Sequence, residues 1–189
     1  GGYFAIPRPA DTVGVLEAVD VSSTPAPTVL CTVGAGGSPP VVMRYTASGG
    51  HVFTGYYTTA GAISDDGLIW GTSREELPPT TATIRNSALR RSFDVLPDSP
   101  TYDETYVSEL SGNGRVVFGN FNRYFGMPGV PWYSIIPDSD FPYLEALPMV
   151  GLTTVQTWVA ASTFDGTVAV GTQGTRAFRW EAAGSVLLD

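Results

Sequence analysis

Residues 162–173 read STFDGTVAVGTQ, and they decide the fold if they are one copy of a repeated unit. Polar residues lead into the pair Asp165-Gly166, an alternating stretch follows, and Gly171 closes it. An Asp-Gly pair supplies the positive φ that a tight hairpin needs, and alternation at period two marks a half-buried strand. The same layout recurs in AISDDGLIWGTS (62–73) and LSGNGRVVFGNF (110–121), with turns at Asp66-Gly67 and Asn113-Gly114 and closing glycines Gly71 and Gly119. Aligned on those glycines, the three stretches recur at a period of about 50 residues, the range of repeat architectures.

A second half follows each copy. VVMRYTASGGHVFTG (41–55), ATIRNSALRRSFDVLPD (82–98), PWYSIIPDSDFPYLEALP (131–148) and AFRWEAAGSVLLD (177–189) each run from an alternating strand through a short polar turn to a second apolar strand. The first unit, VDVSSTPAPTVLCTVG (19–34), keeps the strands but replaces the Asp-Gly turn with Pro25-Ala26-Pro27. Each unit therefore predicts four short strands. Four-stranded antiparallel units at this period predict an all-β chain, a β-propeller of four four-stranded blades. Short alternating strands also suit a β-sandwich, and four blades also suit part of a larger propeller. The expected organisation is one domain, 1–189, with units at 13–58, 59–100, 101–150 and 151–189. The segment 1–12 stands outside them. Its Tyr3, Phe4 and Ile6 are candidates to close the ring on the last blade or to dock on a neighbouring molecule.

The motif SxDGxVxVG followed by AFRWxAAGxVxxL resembles the HAF-type extracellular repeat of bacterial secreted proteins. STFDGTVAVG with AFRWEAAGSVLLD is the best match; ISDDGLIWG and SGNGRVVFG keep the first half, while unit three departs from the FRW strand with PWYSII. The resemblance implies a secreted or cell-surface protein and carries over no catalytic residue.

Composition limits the partners. A net charge of −8 repels phosphate backbones and anionic lipid, which argues against nucleic acid. No stretch is long and apolar enough for a transmembrane helix, so no membrane insertion is expected. The single cysteine, Cys31, lies in the apolar run TVLCTV and reads as a small buried hydrophobe. One histidine, His51, cannot build a histidine-based metal site. No metal or cofactor is expected. Loop carboxylates pair up at Asp65-Asp66, Glu75-Glu76, Asp98 with Asp103-Glu104, and Asp138 with Asp140. Such pairs are candidates for glycoside hydrolysis, where two carboxyls flank the scissile bond, but Asp66 and Asp165 read as turn formers.

Aromatic residues divide into two groups. Trp70, Phe118, Phe178 and Trp180 lie in the repeat strands and are expected between blades. The stretch 120–148 is a long aromatic insertion in unit three, and its Tyr124, Phe125, Trp132, Tyr133 and Tyr143 are the candidate ligand-binding face, suited to a sugar or a protein. The expected function is thus a secreted, non-enzymatic repeat module for surface adhesion, ligand binding or scaffolding. Its expected partner is carbohydrate, protein or a second copy of itself. The alternative is a glycoside hydrolase using the loop carboxylates.

Overall fold

The repeated turns are built from one set of hydrogen bonds. In the second unit the Ser64 hydroxyl donates to Asp66 Oδ1 (2.6 Å), Leu68 N–H donates to the same oxygen (2.8 Å), and Ile69 N–H donates to Ser64 Oγ (3.0 Å). Ser111 and Asn113 do the same in the third unit, and Thr163 and Asp165 in the fourth. This closes the turn with side-chain oxygens, as an Asx turn does. The glycine after each acid or amide, Gly67, Gly114 and Gly166, has φ near +70° (72°, 69° and 73°), which a residue with a Cβ adopts only under strain. The first unit keeps the hydroxyl without the acid: Thr28 N–H donates to Ser22 Oγ (2.8 Å) across the Pro-Ala-Pro loop.

This computed structural model describes residues 5–9, 14–35, 38–56, 58–74, 81–87, 91–95, 104–123, 127–135, 143–146, 157–181 and 184–188. They form four antiparallel meanders. The first blade is β1 (Val15–Val21), β2 (Thr28–Ala35), β3 (Ser38–Thr46) and β4 (Gly50–Tyr56). The second is β5 (Thr58–Ile63), β6 (Ile69–Arg74), β7 (Thr81–Asn86) and β8 (Arg91–Val95). The third is β9 (Glu104–Leu110), β10 (Val116–Arg123), β11 (Met127–Ile135) and β12 (Tyr143–Ala146). The fourth is β13 (Thr157–Ser162), β14 (Val168–Gln173), β15 (Arg176–Glu181) and β16 (Gly184–Leu188). This is the propeller architecture, and each repeat is one blade.

Register fixes which positions correspond. The structural equivalent of Gly119 and Gly171 is Thr72, since Gly119 pairs with Val107, Gly171 with Val159 and Thr72 with Ala60. The closing glycine of the second unit, Gly71, thus sits one residue earlier than an alignment on glycines places it.

The blades bury their faces against one another. Leu30 and Val42 of the first blade meet Ile63 and Trp70 of the second. Ala62, Ala82 and Ile84 of the second meet Val107, Leu110, Val117, Phe121 and Trp132 across the next interface. Phe118 of the third meets Val159, Ala169, Phe178 and Trp180 of the fourth. Trp70, Phe118, Phe178 and Trp180 are all buried, as expected of residues in repeat strands.

Backbone bonds also join the turns along one rim. Ser23 N–H donates to Asp65 C=O (2.9 Å), Asp65 N–H to Gly112 C=O (2.8 Å) and Asn113 N–H to Phe164 C=O (2.8 Å). First packs on second, second on third and third on fourth. Among the described residues no comparable contact joins the fourth blade to the first.

The amino-terminal segment lies on the first blade. Ile6 packs against the cluster of Val29, Cys31 and Tyr45 on the face turned away from the second blade. His51 Nε2 bonds to the Pro7 carbonyl and its ring lies against Tyr45. The expected contact of Ile6 with the last blade is therefore replaced by one with the first, because the outer face of blade one offers an uncovered apolar cluster within reach. Tyr3 and Phe4 lie outside the described residues.

Candidate functional site: the axial cleft

The first strand of every blade carries a β-bulge against the second. Register shifts fall between Ala18 and Asp20, between Ala60 and Ala62, opposite Phe118 and Gly119 (Glu109 to Val107), and between Val159 and Ala161. Each leaves one residue unpaired: Val19, Gly61, Ser108 and Ala160. A bulge bends its strand and re-aims a side chain. All four bulged residues line a single cleft of about 380 Å³ between the inner strands, with Asp20, Thr59, Tyr106, Glu109 and Trp158. The repeat thus builds a common axial cavity from four copies of one irregularity.

Asp20 and Glu109 hold the same place in their blades, the position just after the bulge, where the second and fourth blades have Ala62 and Ala161. Each reaches the next blade. Asp20 Oδ2 accepts from Ile63 N–H (2.8 Å), and Glu109 Oε1 accepts from Ser162 N–H (3.2 Å) and from the Ser162 hydroxyl (3.1 Å). Burial pushes the Glu109 carboxyl up to about 7; the charges of Asp20 and Asp65 add to this, and the Ser162 donors oppose it.

Folded Glu109 keeps its proton to higher pH than the unfolded chain does, so Glu109 lowers stability progressively as pH rises from about 4.5 to about 7. Glu109→Gln keeps an oxygen for Ser162 and removes the charge. The variant is expected to be more stable than the parent at pH 8 by about 1–2 kcal/mol after allowance for solvent screening, and equal to it near pH 4. Urea denaturation at both pH values checks this, and an unchanged difference between them would remove the assignment.

The candidate residues from the aromatic insertion do not form one face. Trp132 is fully buried and stacks against Phe121, with ring centroids 5.8 Å apart. It belongs to the core between the second and third blades, so its assignment to a ligand-binding surface is corrected. Tyr133, next to it on β11, points to the opposite face of the sheet, as period two requires, and packs on Trp180 at 4.9 Å. Tyr143 pairs with Ile135 in the backbone of β12, and its side chain is not described. Tyr124 and Phe125 lie outside the described residues.

Of the loop carboxylates, Asp66 and Asp165 are turn acceptors, and Asp65 accepts the Ser23 hydroxyl at 3.0 Å across the blade interface. Glu75, Glu76, Asp98, Asp103, Asp138 and Asp140 lie outside the described residues, as does the side chain of Glu104. Cys31 is buried, and burial pushes its thiol pKa up. Among the described residues no three His, Cys, Asp or Glu side chains group closely enough to hold a metal ion, and no helix is long and apolar enough to cross a membrane. The cleft residues Asp20, Glu109 and Trp158 were not among the candidates. The signal that marks the two acids is their shared place in the unit, two residues before the turn hydroxyl Ser22 or Ser111.

Comparison with solved structures agrees on the fold. The chain is similar to a protein assigned as TolB from Agrobacterium tumefaciens, with a TM-score of 0.67 at 15% identity, over 92% of this chain and 61% of that one. It is similar to TolB from Acinetobacter baumannii, with a TM-score of 0.63 at 9% identity, over 92% and 43%. An acylaminoacyl peptidase from Pyrococcus horikoshii is similar at 0.52 and 8% identity, over 93% and 32%. The chain thus spans less than two thirds of each of these structures. No family model matches the sequence, and no curated protein does. At such identities the likeness defines a β-propeller and nothing finer.

Proposed function

We propose that this chain is a secreted, non-enzymatic propeller module that binds carbohydrate or protein at a cell surface, and that it does so in the axial cleft. The observation that carries this reading is Trp158. Three of the four tryptophans, Trp70, Trp132 and Trp180, are buried, whereas Trp158 is 44% exposed and lines the cleft. An exposed indole beside Tyr106, Thr59 and Ser108 offers a stacking surface with polar groups around it, the usual make-up of a sugar or peptide site. The engagement of Asp20 and Glu109 with the next blade's backbone supports a structural use of both acids. The resemblance of STFDGTVAVG and AFRWEAAGSVLLD to the HAF-type repeat supports the extracellular setting.

Trp158 also provides the test. Its emission should dominate acrylamide quenching, because the other indoles are shielded. Titration with oligosaccharides and peptides is expected to reduce quenching, and Trp158→Phe should abolish the response. Quenching that no member of either panel changes would sink the assignment of the cleft.

One observation favours a second reading. A carboxyl held protonated to about pH 7 in a cleft that also contains Asp20 matches the acid of a glycoside hydrolase. Release of nitrophenol from aryl glycosides, lost in Glu109→Gln, would favour the hydrolase over the binding module.

A further inference from the structure

Register puts matching positions of neighbouring blades against each other. Where the third blade meets the fourth, Tyr133 of β11 packs on Trp180 of β15, with ring centroids 4.9 Å apart. The same two positions where the first blade meets the second hold Arg44 of β3 and Arg85 of β7. Arg44 pairs with Leu30, which lies opposite Asp20, as Tyr133 pairs with Phe118, which lies opposite Glu109. Arg85 pairs with Trp70 as Trp180 pairs with Ala169. Two guanidinium groups thus stand where the later joint has two aromatic rings. Arg44 lies 4.2 Å over the Trp70 ring. Ile84 packs toward the third blade, so alternation along β7 turns Arg85 toward the first.

The donors at this joint are left unmet. Arg44 Nε, Arg85 Nε and Trp70 Nε1 are buried and reach no acceptor. The contact that Arg44 does make is to the Gly67 carbonyl, at 3.3 Å. Among the described residues neither guanidinium forms an ion pair with a carboxylate. The acids of the adjoining turn are engaged elsewhere: Asp66 accepts from Ser64 and Leu68, and Asp65 accepts from Ser23. Burial pushes the Arg44 pKa down, as it does for a cation with no counter-charge beside it. Half-buried charges are normally paired, and two of one sign across a joint repel. The indole face under Arg44 offsets part of this cost, but it accepts nothing from either Nε. Both arginines keep some exposure, so the joint is open to a small ion.

We propose that the joint between the first and second blades binds a small tetrahedral oxyanion, of the phosphate or sulfate class, between Arg44 and Arg85. Such an ion carries two negative charges and enough acceptor oxygens for both Nε–H groups and for the Trp70 N–H. A guanidinium is suited to it because its planar fork donates two parallel bonds to one oxyanion. The net charge of −8 repels long polyanions, so the ligand is a single ion or a single phosphoryl group. The site lies on the joint and apart from the axial cleft, whose lining includes neither arginine. Binding there would tie two blades together, a structural use that does not depend on what the cleft takes.

Calorimetric titration with sodium sulfate and with inorganic phosphate, against sodium chloride at matched ionic strength, tests this. The expected result is saturable binding of one ion per chain with a dissociation constant of about 1 mM or tighter, and none of chloride. Arg44→Gln and Arg85→Gln should each weaken sulfate binding by at least about 10-fold, with circular dichroism unchanged. Arg85→Lys keeps the charge without the fork and should fall between. If Arg44→Gln loses the fold along with its packing on Trp70, Arg85→Gln decides. Glycerol phosphate separates the two sources: affinity equal to that of inorganic phosphate supports a phosphoryl group on a larger molecule, and much weaker affinity supports the free ion. Sulfate and phosphate that bind no better than chloride would overturn the proposal. So would sulfate binding that a folded Arg85→Gln protein retains in full.

Discussion

Gly171→Ala is expected to prevent stable folding, or to cost about 3 kcal/mol or more. The reason is space and not backbone conformation, since its φ is ordinary. A Cβ on Gly171 would stand 1.9 Å from the Trp158 carbonyl oxygen and 2.8 Å from Phe178 Cε1. The equivalent glycine of the third blade has the same neighbours: a Cβ there would meet the Tyr106 carbonyl at 2.0 Å and Trp132 Cζ2 at 2.3 Å. In both, the obstructing carbonyl belongs to the inner strand beside its bulge, where backbone can move only by giving up pairing. Gly34→Ala is the control, because nothing lies within 4 Å of its added Cβ; it should be close to neutral. Urea titrations followed by circular dichroism compare the two, and a Gly171→Ala protein as stable as Gly34→Ala would show the bulge to be soft.

Trp132→Ala should destabilise the chain by about 3–5 kcal/mol, the range for removing a fully buried indole. Trp132 fills the interface between the second and third blades with Phe121, Val107 and Ile84, so the loss should also loosen the contact of those blades. Trp158→Ala, at an exposed position, should change stability by no more than about 0.5 kcal/mol. The pair separates core from cleft in one experiment. Equal costs for the two would mean that the aromatic residues had been assigned to the wrong sides.

The chemistry that is local in sequence was legible. A hydroxyl, an Asp or Asn, and a glycine within four residues specify a turn through bonds that span two to five residues, so the hairpins and the blade period could be read directly. The pairing register could not. Aligning on Gly71 misses by one residue because that glycine serves a different neighbour: a Cβ there would meet Val107 of the third blade at 2.5 Å, a long-range contact invisible to local pattern. The bulges depend on the partner strand too, so nothing in VLEAVDV or ETYVSEL announces that Val19 and Ser108 turn toward a shared cleft. Asp20 and Glu109 look like ordinary polar positions of edge-like strands until the bulge places each against the backbone of the blade that follows its own. The stretch 120–148 reads as an insertion for its density of aromatic residues, and PWYSII within it as an alternating strand; Met127–Ile135 pairs with strands on both sides, and Trp132 follows the strand's alternation into the core and not onto a binding face.

The turn glycines carry a further consequence. A Cβ on Gly67 would touch Ser22 and Thr28, on Gly114 it would touch Ile69 and Ser64, and on Gly166 it would touch Val116 and Ser111. Each turn therefore leans on the blade before it and never on one further off. Energetically the described part of the molecule is a chain of couplings between neighbours, alike in their turns but filled by different side chains at each joint. Duplicating or excising a blade would therefore set together faces that were not shaped for one another. Loss of order should proceed blade by blade, because the contacts between blades among the described residues run between neighbours.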